Sequence, residues 1–279
     1  MEPLSTLIKE QYHSPRLYED ILSRLGELKK DNGHVSRKDI AGVDEFHVRG
    51  AEVSRELANQ LKPYHSKVLD VGCGIGGPAR MLADEFCCQV TGIDLNQEYI
   101  RTAQGLSELV GLRTQTNFIQ SNALELPFKN KSFDVVWTQH VQMNISHKLK
   151  FYSEIERVLS DQGGTFAYYD IFKTDEGKVN FPVPWANSAS ASFLVTHSYM
   201  EDILERLCFE RLINTDETEK GKQFLLNLFE KLKKNGPPKL GLNILMGSST
   251  KEKLANILKG IEEGQIVLQS GIYVKRAMN

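Results

Sequence analysis

Apolar positions along the chain change period near residue 67, and the two regimes predict two kinds of structure. Over residues 4–30, Leu4, Leu7, Ile8, Tyr12, Leu17, Ile21, Leu22 and Leu25 recur at helical spacing. Pro15 divides this stretch and is placed to open a second helix. A polar break follows at 29–33, then Ser36 as N-cap of a short helix, then a helix over 48–61 that ends before Pro63. From Lys67 onward, short apolar runs at 67–71, 89–94, 116–120, 133–139 and 164–172 alternate with helical stretches at 78–86, 97–110 and 148–159. That alternation predicts an α/β fold: a parallel sheet covered on both faces, with ligands beyond the carboxyl ends of its strands. A connection rich in proline and serine occupies 173–196, and Thr196 or Ser198 opens a helix through 207. Two further strands are predicted at 209–214 and 265–274. Between them, residues 220–264 are mostly helical, with Phe224, Leu225, Leu228 and Leu232 on one face, and read as a lid insertion. The organisation expected is a helical arm over 1–64 and a main domain over 65–279.

Composition narrows the function without naming it. The 279 residues are 41% hydrophobic and 25% charged, in the range of ordinary globular domains. Lysine and arginine number 34 against 36 acidic residues, a formal charge of −2, so no strongly basic surface favours nucleic acid as a partner. The N-terminal residues lack the pattern of a secretory signal, and no apolar run is long enough to span a bilayer. A cytoplasmic location without membrane partners is therefore expected. Cys73, Cys87, Cys88 and Cys208 form neither a disulfide framework nor a zinc-ligand spacing, which predicts reduced, buried thiols and no metal site.

The chemistry concentrates in residues 68–77, Val-Leu-Asp-Val-Gly-Cys-Gly-Ile-Gly-Gly. Gly72, Gly74 and Gly77 satisfy the G-x-G-x-x-G pattern of dinucleotide sites, a weak signal alone. Asp70 decides between readings, because a carboxylate at the end of this strand repels a pyrophosphate and suits an α-ammonium. Asp94 closes the second strand 24 residues later, where an acid accepts ribose hydroxyls. A ligand with a ribose, an ammonium and no pyrophosphate is S-adenosylmethionine.

These residues resemble those of the class I S-adenosylmethionine-dependent methyltransferases over residues 65–172. Three motifs stand in the family's order: Leu69-Asp-Val-Gly-Cys-Gly-Ile-Gly76, Gly92-Ile-Asp-Leu95, and Asn122-Ala-Leu-Glu-Leu-Pro-Phe128 followed by Ser132-Phe-Asp-Val-Val-Trp137. The resemblance implies a Rossmann-like, doubly wound, seven-stranded sheet, mostly parallel, with an antiparallel edge strand. It implies that Asp70 holds the cofactor ammonium, Gly72 and Gly74 permit close approach, and Asp94 takes the ribose. Leu95 and Ala123 then flank adenine, and Gln139 lies near the methionine end. Asn122 stands where the family usually has aspartate; its amide oxygen accepts the adenine amino group without the charge.

Methyl transfer is an in-line displacement that needs positioning and, for a protonated nucleophile, a base. His140 and Asn144, after the fourth strand, are the catalytic candidates, joined by Tyr12 from the arm. His140 is the natural proton acceptor. In phosphoethanolamine methyltransferases an N-terminal tyrosine faces a histidine on the loop after the fourth strand; Tyr12 matches that tyrosine, while Asn144 stands at the histidine position. His47, Arg49 and Trp185 are the candidate substrate contacts. Among small-molecule subfamilies the chain is most similar to the sarcosine–dimethylglycine N-methyltransferases, which implies an amine acceptor such as glycine, sarcosine or dimethylglycine, with Arg49 or Asn144 clamping its carboxylate. The alternatives are O- or C-methylation of a hydroxylated aromatic, quinone or natural product, a nicotinamide oxidoreductase, and a non-catalytic S-adenosylmethionine-binding protein. Oligomeric state is left open by the sequence.

Overall fold

The computed structural model of the protein describes residues 16–28 and 34–276. Its centre is a seven-stranded sheet of β1 (Lys67–Val71), β2 (Gln89–Asp94), β3 (Thr116–Gln120), β4 (Val135–Gln139), β5 (Thr165–Lys173), β6 (Phe209–Asp216) and β7 (Ile266–Lys275). The strand order is β3-β2-β1-β4-β5-β7-β6. The first five strands run parallel, and β7 lies antiparallel between β5 and β6. From β1 the chain winds outward to β3, then returns to place β4 on the other side of β1. This reversal leaves a crevice beyond the carboxyl ends of β1 and β4, since the crossovers on the two sides diverge there. All five residues of β4 are buried, as a central strand covered on both faces requires.

Among the boundaries that differ from the sequence expectation, two have a local cause. The strand expected from 133 begins at Val135, because Phe133 forms only an isolated bridge with Leu159. The helix expected from 48 begins at Ala51, because Arg49 and Gly50 take positive φ angles of 69° and 52° and turn the chain first. The stretch 4–15 lies outside the described residues. Cys73 and Cys88 are buried as expected, but Cys87 and Cys208 are exposed, and all four thiols are free.

The arm packs as amphipathic helices. In α1 (Leu17–Leu28), Leu17, Ile21 and Leu25 are buried, at helical spacing, in a cluster with Tyr99 and Leu106 of α5 (Gln97–Leu109). Ser36 and Asp39 form a reciprocal capping box at the start of α2 (Arg37–Asp44), and α3 (Ala51–Leu61) follows. The arm comes so close to α4 (Gly77–Phe86) that a Cβ on Gly77 would lie 1.8 Å from the Asp44 carbonyl oxygen, so only glycine fits there. Helices α6 (Lys148–Val158) and α7 (His197–Arg206) cover the β5 side, and α8 (Thr218–Asn235), α9 (Asn243–Met246) and α10 (Thr250–Glu262) connect β6 to β7.

Arg80 of α4 joins these parts. Its side chain is fully buried, and it pairs with the Asp44 carboxylate. It also donates to the carbonyls of Ile75 at 2.7 Å and Ala103 at 3.2 Å, and to Ser107 Oγ at 3.2 Å. One guanidinium thus ties the arm, the glycine turn and α5 together. Asp44→Ala leaves that charge buried without its counterion, and the expected loss is about 3–5 kcal/mol in unfolding free energy, measured by urea denaturation.

Candidate active site

Beyond the ends of β1, β2 and β4 lies a cavity of about 500 Å³. The glycine turn forms its floor. The N–H groups of Gly72 and Cys73 both donate to the Ile93 carbonyl, at 2.8 and 2.9 Å, which fastens the turn to β2. Gly74 has φ +53°, and a Cβ built on it would meet nothing within 4 Å, so this residue leaves open a cradle that a side chain would fill. Its N–H donates to Asp94 Oδ2 at 3.0 Å, while the Asn96 N–H donates to Oδ1 at 2.9 Å. Asp94 is therefore fixed in orientation with acceptor capacity left over.

Asp70 is 2% exposed on the same wall, and its Oδ2 has no hydrogen-bond partner among the described residues. Burial, reinforced by the charge of Asp94 and offset by Arg80, pushes its carboxyl up to about 8. Burial also raises Asp94. Among the described residues no lysine or arginine lines this cavity. Two inward carboxyl groups and an orphaned oxygen favour a cationic ligand group and repel a pyrophosphate, which removes the physical basis for a dinucleotide. An ammonium on Asp70, ribose hydroxyls on Asp94 and close approach at Gly74 match the groups of S-adenosylmethionine. Leu95, Asn122 and Ala123 line the same cavity. The Asn122 amide oxygen already accepts from the Leu124 N–H at 2.9 Å, so a second lone pair is what it offers a ligand.

The opposite end of the cavity is built by the residues after β4. His140 has φ +53°, and its N–H donates to the Tyr169 carbonyl at 2.9 Å. Its Nε2 is buried without a partner among the described residues, and the Tyr169 hydroxyl is likewise unpartnered. The two rings lie 5.0 Å apart between centroids, and His47 approaches His140 at 5.8 Å. Burial, aided by the neighbouring His47, drives the His140 imidazole well below its ordinary value, so it is neutral near pH 7. Asn144 lines the cavity on the following loop. Lys148 Nζ holds that loop by donating to the carbonyls of Gln142 and Ile145.

His47 belongs to a polar network that sequence reasoning missed. Its Nε2 lies 3.0 Å from the Gly50 carbonyl, 3.1 Å from Ser54 Oγ and 3.2 Å from Glu45 Oε2. Ser54 donates to Glu45 at 2.8 Å, and Gln139 Oε1 accepts from Trp137 Nε1 at 2.9 Å beside them. Burial pushes Glu45 up to about 8 and His47 down to about 4, so the two meet as neutral groups. Glu45 and Ser54 carry no motif; only the turn at Arg49–Gly50 brings them against β4.

Arg49 and Trp185 are not on the cavity wall. The Arg49 guanidinium is engaged by Glu217 at 2.7 Å, Glu56 at 2.7 Å and Glu52 at 3.1 Å. Trp185 is buried in the core, with its indole N–H donating to Ser192 at 2.9 Å. Tyr12 lies outside the described residues.

Fold and site together resemble those of the class I S-adenosylmethionine-dependent methyltransferases. Residues 69–167 match the family described as a methyltransferase domain, and this chain carries that domain. Sterol 24-C-methyltransferase ERG6B of Gibberella zeae is 38% identical over 109 residues, 39% of this chain and 28% of the relative. The chain thus spans under a third of that relative's length. Among solved structures, a candidate sarcosine dimethylglycine methyltransferase from Galdieria sulphuraria superposes with TM-score 0.67 at 17% identity, covering 86% of this chain and 95% of the other. Geranyl diphosphate C-methyltransferase from Streptomyces coelicolor superposes with TM-score 0.71 at 15% identity, covering 98% of each chain. These structures share the fold. Among the described residues no helix is long and apolar enough to cross a membrane, and no cluster of metal-ligating side chains occurs.

Two outcomes are expected in calorimetric titration with S-adenosylhomocysteine. Asp94→Ala weakens binding at least about tenfold, from loss of charge-assisted hydrogen bonds. In the wild type, Asp70 holds its proton below about pH 8 and must release it to face an ammonium. Affinity therefore strengthens as pH rises from 6 toward 8, with proton release detectable across buffers of different ionisation enthalpy. Asp70→Asn removes that pH dependence.

Proposed function

We propose that this protein transfers a methyl group from S-adenosylmethionine to an uncharged small molecule, at carbon or oxygen. The observation that carries the cofactor half is the orphaned, buried Asp70 oxygen beside the cradle at Gly74 and the pinned Asp94. When bound, S-adenosylmethionine supplies an electrophilic methyl on a sulfonium. Asp70 anchors its ammonium and Asp94 its ribose, and the cavity walls exclude water from the reacting centre. His140, neutral and with an unpartnered Nε2, takes the proton that the acceptor loses.

The amine acids implied by the sequence resemblance fit this site less well. Of the two clamps proposed for a glycine-like carboxylate, Arg49 is satisfied by three carboxylates away from the cavity, and Asn144, on the cavity wall, brings an amide without a positive charge. An unpaired carboxylate beside Asp70 and Asp94 is costly. The name of the fungal relative, a sterol 24-C-methyltransferase, supports an uncharged acceptor.

With labelled S-adenosylmethionine, methyl incorporation is expected into phenols or prenols and not into glycine, sarcosine or dimethylglycine. Turnover confined to the amine acids would overturn the assignment. Asparagine tolerates positive φ, so His140→Asn tests the imidazole rather than the backbone. It should lower kcat by about 100-fold or more, with little change in S-adenosylhomocysteine affinity. The reverse pattern would place His140 against the cofactor.

A further inference from the structure

A second, smaller cavity of about 30 Å³ adjoins the first, and the two share Phe46, His47 and His140 in their walls. Its far side comes from α8, α9 and α10 through Phe224, Leu228, Met246 and Ile257. Apart from the two histidines, every residue lining it is apolar. Burial holds both histidines neutral, so among the described residues no formal charge faces the chamber. Its volume exceeds the roughly 10–15 Å³ that one water needs, but it offers a water almost no polar partners; an apolar void of this kind stays dry and takes hydrocarbon.

We infer that this chamber seats a hydrocarbon portion of the methyl acceptor, whose reacting atom then lies at the mouth beside His140. The inference rests on the methyl-transfer reading and sharpens it. The acceptor carries an apolar chain or branch adjacent to the methylated position, and Leu228 and Met246 limit its size. The chamber gives the site direction, because an acceptor anchored there presents its polar end toward the larger cavity, where Asp70 and the cofactor cradle lie. Anionic acceptors are disfavoured at both ends: among the described residues the chamber has no cation in its wall, and neither has the larger cavity.

The test uses the full chain saturated with S-adenosylhomocysteine and titrated with straight-chain alkan-1-ols from propanol to octanol, then with alkanoates of equal length. Alcohol affinity should rise about fourfold per methylene until the chamber fills, then level off, since each buried methylene contributes about 0.8 kcal/mol. Alkanoates should bind at least about tenfold more weakly. Leu228→Trp, at a half-buried position, should abolish the length dependence while leaving S-adenosylhomocysteine affinity unchanged, and Phe224→Ala should move the plateau to longer chains. A flat series in the wild type overturns the inference, as does an undiminished slope in Leu228→Trp together with an unmoved plateau in Phe224→Ala. A length-dependent series in a protein that does not bind S-adenosylhomocysteine overturns the methyl-transfer reading and leaves the chamber's apolar preference standing.

Discussion

A fully buried guanidinium is the constraint around which the functional half of this protein is arranged. Arg80 sits inside α4, immediately after the glycine turn, where leaving it unsatisfied is far more costly than at the surface. Its four partners come from three places: Asp44 of the arm, Ile75 of the turn, and Ala103 and Ser107 of α5. Satisfying this one group fixes the turn that meets the cofactor and brings the end of α2 against α4. Phe46 and His47, which follow, are thereby carried to the cavity wall. The same cation also offsets part of the repulsion between Asp70 and Asp94.

Charge is distributed so that the site discriminates by what it withholds. Among the described residues carboxyl groups face the cavity and no lysine or arginine does, and Arg49 is held off its wall in a cluster that links α3 to α8. The imidazoles and hydroxyl gathered at the other end are kept neutral by burial. Such a cavity suits one cationic partner with a ribose and a second partner without charge. A second negative group has no counterion at either end.

Much of the frame was legible along the chain because it depends on local rules. Period-2 and period-3.6 patterning placed the strands within a residue or two, and the glycine turn with Asp70 and Asp94 was readable because strand-end chemistry follows directly from chain order. The arm helices were visible through the spacing of Leu17, Ile21 and Leu25. The start of α3 was not, since nothing in the hydrophobic pattern of residues 48–50 announces two consecutive positive φ angles.

The acceptor side was beyond the sequence for a physical reason. Arg49 is a plausible anion clamp in isolation and becomes a structural link only when Glu217, 168 residues away, meets it in the fold. Glu45, Ser54 and Gln139 acquire meaning through contacts across as many as 92 residues, and the apolar chamber is a gap between surfaces from the arm, the end of β4 and the helices before β7. By itself the sequence determined the parallel sheet, the glycine turn and the two strand-end carboxylates beside it, because these reside in single strand–turn segments. Only the tertiary structure decided which charges reach the cavity and which are cancelled, because burial and pairing between distant segments set the charge that a ligand meets.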